Sequence, residues 1–316
     1  MADEVSAGKE PKVRAEIMDA YETVLKDATK GDMALNALVL SLPTLGELVD
    51  LKTRTAKADP LAIKEAVDTV KKSIYQTHKP LIDALYDTTK APANEDYAVT
   101  PTQVGRRALH NRALGYIGTA ENAEAVAKAK TQFDNATNMT EQIAALGVIS
   151  HMDTPEANEA FDAFQKRFDG DINVMNSYLT LQSSIEHGNA LHRVTSIMEG
   201  KLYDKKVPNI VRAVLGGFMR NAKAFHAKDG SGYKFIADQI IEMNAINPRV
   251  GSGLIKSFLQ WNKYTEPHAS MMRGEIERIL KTPDLAMGIK EYAQKALAVK
   301  DTPKKDDAKG PAKLAV

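Results

Sequence analysis

The chain has 316 residues, of which 43% are hydrophobic and 26% charged, values typical of a folded globular protein. Its 42 basic and 41 acidic side chains leave a formal net charge of +1, so nucleic acid is not expected as a partner. Cysteine is absent, which excludes disulfides and thiolate metal sites, and no run of about 18 apolar residues predicts a membrane span.

The spacing of apolar residues predicts helices along the whole chain. It begins with Val13, Ile17, Tyr21 and Val24, which are three or four residues apart and form one apolar stripe. The same spacing returns in Ile63, Val67, Val70 and Ile74; in Phe161, Phe164 and Phe168; in Ile210, Val214 and Phe218; in Val250, Leu254, Phe258 and Trp261; and in Leu285, Ile289 and Tyr292. Because no strand-like alternation is sustained, the fold class is predicted to be all-α.

Helix starts are marked by a capping residue directly before a proline, at Asp59-Pro60, Thr100-Pro101, Thr154-Pro155 and Thr282-Pro283. Thr44 and Glu47 have the spacing of a capping box. Together with glycine-containing stops, these signals predict about twelve to fourteen short helices. No repeat of fixed period is visible, so an irregular two-layered superhelix is favoured, with a compact bundle as the alternative.

Two segments are predicted to lie outside the helices. Residues 87–100 have the composition of a loop, and residues 299–316 form a tail rich in Lys, Asp, Ala and Pro. We therefore divide the chain into an N-terminal leader, 1–11, a helical solenoid domain, 12–298, and the tail. The tail could be held by a partner protein.

Four groups of residues are candidate sites, and for each of them a structural role is the preferred interpretation. His187 and His192 are five residues apart across a glycine, which misaligns them as a metal pair and favours surface or capping roles. The loop at 229–233, DGSGY, could cradle a phosphate, but Asp229 and Ser231 are expected to cap a helix that begins near Tyr233. The helical spacing of the three phenylalanines at 161–168 predicts core, and the tail lysines Lys300, Lys304, Lys305, Lys309 and Lys313 predict a solvated or partner-docked segment.

Several strings, in this order, resemble the C-terminal helical domain of bacterial-type M1 alanyl aminopeptidases. They are LVLSLPTLGEL at 38–48, DPLAIKEA at 59–66, GRRALHNRALGYI at 105–117, FDNATNMTEQIAAL at 133–146, PNIVRAVLGGFMRN at 208–221, FHAKDGSGYKF at 225–235 and NPRVGSGLI at 247–255. The resemblance covers roughly residues 12–298. It implies a solenoid of antiparallel helix pairs of the HEAT or armadillo kind, which in those enzymes caps the catalytic domain.

The chemistry of that family resides in motifs that this sequence lacks. The enzymes hold zinc with H-E-x-x-H and bind the peptide amino terminus with G-x-M-E-N, and neither motif occurs here. The resemblance therefore implies no catalytic residue, no metal ligand, no cofactor and no small-molecule substrate. Where the family commonly has polar residues toward the substrate chamber, this chain has Arg249, Gly253 and Ile210.

Two functions are compatible with a non-catalytic aminopeptidase-like domain. The main hypothesis is a scaffold subunit that binds other protein subunits of a large complex, because the chain opens with its own leader, lacks the zinc motifs and carries an added tail. By analogy, the peripheral stalk of an algal-type mitochondrial ATP synthase is the most specific candidate, with mitochondrial location and a cytoplasmic alternative. The other hypothesis is an excised C-terminal lid domain of a zinc M1 aminopeptidase.

Overall fold

The computed structural model describes residues 1–92 and 95–299, so the tail and its lysines lie outside the described residues. These residues contain 17 α-helices and three short 3-10 segments, with no strand apart from an isolated bridge between Ala58 and Tyr264. The all-α prediction is confirmed. The helices outnumber the twelve to fourteen expected, because four of them, α1, α3, α13 and α15 as bounded below, have only four to seven residues.

The described chain divides into two compact units, of which the first comprises Met1–Leu45 and Pro60–Ala227. Its helices are α1 (Ala2–Ser6), α2 (Ala15–Asp27), α3 (Met33–Val39), α5 (Pro60–Thr88), α6 (Pro101–Ile117), α7 (Ala123–Asn135), α8 (Met139–Ser150), α9 (Pro155–Phe168), α10 (Ile172–Ser184), α11 (Ala190–Glu199), α12 (Pro208–Arg220) and α13 (Ala222–Phe225). Within this unit α5 packs on α6, α7 on α8, and α10 on α12, so that neighbouring helices bury one another's apolar faces.

The second unit comprises Gly46–Asp59 and Lys228–Val316, of which the structure describes residues up to 299. Its helices are α4 (Leu45–Lys52), α14 (Ser231–Ile246), α15 (Pro248–Leu254), α16 (His268–Leu280) and α17 (Met287–Ala298). Two buried polar contacts join these helices across the unit. The Trp261 indole N–H donates to the Ala296 carbonyl at 2.9 Å, and the Tyr233 hydroxyl lies 3.0 Å from His268 Nδ1.

Most of the predicted helix starts are observed. Helix α5 begins at Pro60, α6 begins at Pro101 with the Thr100 hydroxyl accepting from the Gln103 N–H, and α4 begins directly after Thr44. Helix α9 begins at Pro155 as predicted, although the preceding threonine makes no capping hydrogen bond. The prolines therefore locate helix starts even where the expected cap is missing, because their fixed φ already suits the first helical position.

One predicted start, at Thr282-Pro283, is wrong. The next helix, α17, begins only at Met287, after a turn in which Asp284 has a φ of 52°. That value lies in the left-handed region and cannot be part of a right-handed helix. The predicted loop at 87–100 is also shorter than expected, because α5 continues to Thr88.

Helix α5 is the longest element and bends near its middle. His78 leaves helical geometry, with φ −114° and ψ 23°, two residues before Pro80. Proline removes one backbone hydrogen bond and its ring clashes with the preceding turn, which explains the bend. The buried His78 places its Nε2 3.1 Å from the Met18 carbonyl, so the bend also holds α2.

Of the three phenylalanines at 161–168, Phe161 and Phe164 lie in the core of the first unit as predicted, whereas Phe168 is only half-buried. Phe161 and Phe164 are buried, with ring centroids 5.6 Å and 5.8 Å from that of Tyr178 on α10. Nearby, α10 and α12 approach so closely that a Cβ on Gly217 would lie 2.5 Å from the Thr180 carbonyl oxygen. Only glycine allows this approach without displacing one helix.

Candidate functional site

A cleft of about 440 Å³ in the first unit is lined mainly by charged and polar residues. We call it the charged cleft. It is bounded by the first half of α5, by the C-terminal ends of α6 and α8, and by residues that follow α10 and α12; its lining includes Lys64, Asp68, Lys71, Lys72, Glu121, His151, Glu186, His187 and Lys223. Four of these lining residues are lysines.

An ion-pair network occupies one wall of the charged cleft. The Lys64 ammonium lies 2.6 Å from Asp68 and 2.9 Å from Glu186, and Lys223 lies 3.7 Å and 3.2 Å from the same two carboxylates. Burial opposes ionisation of Glu186, but the attraction of Lys64 and the hydrogen bonds from both lysines outweigh it and lower its pKa below the usual value. Both carboxylates are thus already shared between two lysines.

Lys71 lies in the same cleft but outside this network. It is half-buried, and no carboxylate of the described residues lies within ion-pair distance of its ammonium. Burial lowers the pKa of Lys71, and the attraction of Asp68 only partly opposes that effect. Lys71 is therefore a half-buried lysine without a direct counter-ion.

Two histidines complete the cleft. His151 Nδ1 lies 2.8 Å from the Gly147 carbonyl, which can only accept, so this nitrogen carries the proton and Nε2 carries the lone pair. Desolvation lowers the pKa of His151, which keeps the ring neutral at neutral pH. His187 donates from Nε2 to the Ser150 carbonyl at 3.0 Å, and its Nδ1 lies 3.7 Å from Asp153.

His187 and His192, for which the sequence predicts surface or capping roles, lie apart in the structure. His192 lies in the first turn of α11, where its backbone N–H is capped by Asn189, whereas His187 contacts the end of α8. Within residues 1–92 and 95–299, no group of three or more His, Asp or Glu side chains is placed to hold a metal ion. His187 is part of the charged cleft, a role that its sequence spacing did not reveal.

The DGSGY loop precedes a helix start as predicted, but the capping role predicted for Ser231 is wrong, because Ser231 is the first residue of the helix and its hydroxyl donates to Asp229. Asp229 accepts from the Ser231 backbone N–H at 3.0 Å and from its hydroxyl at 2.6 Å, which lowers the pKa of Asp229. Helix α14 begins at Ser231, two residues before the expected position, after Gly230 with a φ of 73°. A Cβ on Gly230 would lie 2.7 Å from the Met271 sulfur, so the loop is closed by packing within its own unit.

The three departures from the aminopeptidase pattern lie on two helices, Arg249 and Gly253 on α15 and Ile210 on α12. Arg249 is exposed near the start of α15, and a Cβ at Gly253 would meet no atom within 4 Å. Position 253 therefore has room for a longer side chain, as the resemblance implies for the family. Ile210 is half-buried in the first turn of α12.

An exposed apolar stripe runs along α3 and is the second candidate site. Leu35, Leu38 and Val39, which we call the α3 stripe, are 55%, 68% and 51% exposed. Their spacing places them on one helix face. Single exposed apolar residues are normal on protein surfaces, but three on one face of a seven-residue helix mark a candidate contact surface.

The opposite face of α3 is fixed to α6. The Tyr116 hydroxyl donates to the Leu40 carbonyl at 2.7 Å, and the Arg112 Nε–H donates to the Ala37 carbonyl at 3.2 Å. A Cβ on Gly105 would lie 2.9 Å from the Ala34 nitrogen, so the two helices are in direct backbone contact. These contacts leave the α3 stripe pointing away from the helix that holds it.

None of the described helices combines the length and the apolar composition that crossing a bilayer requires.

Comparison with known proteins identifies a family and several sequence relatives of this chain. A family model described as a domain of unknown function, DUF3458_C, with ARM repeats matches residues 1–298. Aminopeptidase N of Escherichia coli strain K12 is 29% identical over 283 residues, which cover 89% of this chain and 32% of that protein. Aminopeptidase N of Haemophilus influenzae is 28% identical over 292 residues, covering 92% of this chain and 32% of the relative.

A solved structure agrees with these sequence relatives. The crystal structure of Legionella pneumophila aminopeptidase A in complex with aspartic acid has a TM-score of 0.81 and 24% identity, covering 94% of this chain and 35% of that one. This likeness supports the fold alone. The chain spans about a third of the length of the curated relatives that it matches, and the matched part is their C-terminal part. The chain belongs to the DUF3458_C family of ARM-repeat domains and is homologous to the C-terminal part of aminopeptidase N.

Proposed function

We propose that this chain is the non-catalytic helical part of a zinc aminopeptidase of the M1 type, and that it acts by docking on the part that carries the zinc. The observation that carries the proposal is the match itself. Residues 1–298 correspond to the C-terminal part of aminopeptidase N, the whole chain spans 32% of that protein, and the sequence contains no H-E-x-x-H motif. The peptidase chemistry would therefore come from the catalytic part to which this chain docks.

The α3 stripe supports docking through an apolar contact. Three large apolar side chains that are more than half exposed carry a hydration cost that a protein partner would remove. The stripe is also rigid, because Asp32 caps the first turn of α3 and the Asn36 amide donates to the Ala28 and Lys30 carbonyls. A preorganised apolar surface loses little conformational entropy on binding.

The scaffold hypothesis is less well supported than this alternative. The relatives described above are aminopeptidases, and none of them points to a structural subunit of an ATP synthase. The stalk assignment, the partner subunits and the mitochondrial location stay predictions.

The proposal can be tested on the native assembly. We would isolate the protein from its source in mild detergent, size it on a native gel, identify the accompanying polypeptides by mass spectrometry and assay arylamidase activity. We expect co-migration with a polypeptide that carries H-E-x-x-H and an activity that a zinc chelator abolishes. Migration as a free monomer, or in an assembly in which no polypeptide carries that motif, would overturn the proposal.

Two variants test the role of the α3 stripe in the same assay. Leu38→Asp places a charge in the stripe, and we expect it to reduce recovery of the catalytic polypeptide or, if both parts share one polypeptide, the thermal stability of the peptidase. Ile172→Asp is the matched control, because Ile172 is 54% exposed at the start of α10, outside the stripe. Equal behaviour of the two variants would show that the stripe is not the contact.

A further inference from the structure

The charges in the charged cleft do not balance locally. Four lysines and three carboxylates line it, and Asp68 and Glu186 are each shared between Lys64 and Lys223. The third carboxylate, Glu121, lies on an exposed turn with a φ of 49° and forms no ion pair with these lysines. Both imidazoles donate a ring N–H to a backbone carbonyl, and Lys71 and Lys72 are the two cleft lysines without a carboxylate partner.

Lys71 is the residue for which this imbalance matters most. Lys72 is exposed, whereas Lys71 is half-buried, and no carboxylate or other hydrogen-bond acceptor among the described residues contacts its ammonium. The partial burial of this side chain is therefore not offset by an ion pair. An anion that enters the cleft would supply the missing acceptors.

We propose that the charged cleft is a binding site for a small anionic molecule whose carboxylate or phosphoryl oxygens accept hydrogen bonds from Lys71. Its volume of about 440 Å³ lies within the range of roughly 300–1,000 Å³ that ligand pockets usually have. Lys64 and Lys223 form ion pairs with the wall carboxylates described above. Lys71 and Lys72 provide the positive charge that binds the ligand. The neutral His151 contributes an acceptor at Nε2 for a hydroxyl or amino group on the same ligand.

The site does not depend on the docking function proposed above. All its lining residues belong to the first compact unit, and none lies in the α3 stripe. No chemical step is assigned to it, so the ligand is bound and not transformed. If the docking function is disproved, the anion site is unaffected, and if anion binding is disproved, the docking function is unaffected.

The pH dependence of binding has a definite sign. Lys71 is faced by Asp68 and Lys64 on its own helix, by Arg112 on α6, by His151 at the end of α8, and by Glu186 and Lys223. The lowered pKa of Lys71 means that its charge is lost at a lower pH than that of an ordinary lysine. Binding of a fully ionised dicarboxylate should therefore weaken as the pH rises through that range.

The experiment is isothermal titration calorimetry of the whole chain with inorganic phosphate and with succinate, at constant ionic strength. Lys71→Met removes the charge and keeps an unbranched side chain of similar length. Lys166→Met is the matched control, because Lys166 is an exposed lysine on α9 of the same unit. Circular dichroism and thermal unfolding establish that each variant is folded.

We expect saturable binding of at least one probe, weakened about tenfold or more in Lys71→Met and unchanged in Lys166→Met. Preference for phosphate over succinate, or the reverse, assigns the ligand to the phosphoryl or the carboxylate class. Absence of saturable binding with both probes, or equal binding in both folded variants, would overturn the proposal.

Discussion

The α3 stripe and the charged cleft lie in the same compact unit but are built in opposite ways. The stripe consists of neighbours in sequence on one short helix, and its backbone is held by α6. The cleft collects residues from α5, from the ends of α6 and α8, and from the segments after α10 and α12. A contact surface can thus be made by one element, whereas a ligand cleft requires several elements to be placed correctly at once.

The two regions also differ in the kind of partner that would stabilise them. The α3 stripe exposes apolar side chains, which burial by a protein partner would stabilise. The cleft contains the half-buried Lys71 without a counter-ion, which an anion would stabilise. Substitutions that change one property and preserve the other should therefore separate their roles.

The largest expected effect on stability distinguishes the buried residue at the end of α3 from the exposed α3 stripe. Leu40, at the end of this helix, is 1% exposed, so Leu40→Ala should lower the free energy of unfolding by about 2–5 kcal/mol through the cavity that it leaves. Leu38, at 68% exposure, should change it by less than about 0.5 kcal/mol when replaced by alanine. Denaturant unfolding of both variants measures the difference, and similar losses would mean that Leu38 is part of the core.

A smaller effect is expected in the ion-pair network of the cleft. Glu186→Gln keeps the shape of the side chain but leaves Lys64 and Lys223 with one shared carboxylate, which should cost about 1–2 kcal/mol at neutral pH. The matched control is Glu199→Gln, at an exposed position at the end of α11.

The pH dependence of that effect follows from the lowered pKa of Glu186. An acid whose pKa is lowered by folding stabilises the protein above its unfolded pKa, and this contribution disappears as the pH falls through the folded pKa. The difference in free energy of unfolding between the native protein and Glu186→Gln should therefore decrease as the pH falls below the usual glutamate pKa of 4.5. A difference that stays constant would show that the carboxylate charge does not contribute to stability.

The smallest effect has the opposite sign. Lys71→Met removes a half-buried charge without an ion-pair partner, and should raise the free energy of unfolding by a few tenths to about 1 kcal/mol. Because folding lowers the pKa of Lys71, the native protein regains this energy as the pH rises and the amine loses its proton. The advantage of the variant should thus decrease at alkaline pH. Destabilisation by Lys71→Met would indicate that the lysine has a structural partner.

Much of the fold could be predicted locally. The starts of α5, α6 and α9 coincide with the prolines at 60, 101 and 155, because proline suits the first helical position whatever surrounds it. The predicted helix start at Pro283 is wrong because Asp284 adopts a left-handed backbone conformation, which the local sequence does not predict. The sequence predicts a surface or capping role for His187, but its place in the cleft depends on α8, which lies far from it in sequence.

The sequence by itself determined that this chain is all-α, that Phe161 and Phe164 on α9 are buried, and that it resembles the helical domain of an aminopeptidase. These properties follow from the period of the apolar residues, from caps and prolines, and from ordered strings, all of which are local in the chain. Only the tertiary structure decided that Lys71 is half-buried without an ion-pair partner while Lys64 and Lys223 are paired. All three are ordinary lysines in sequence, and their difference arises because charge interactions depend on distances between separate helices.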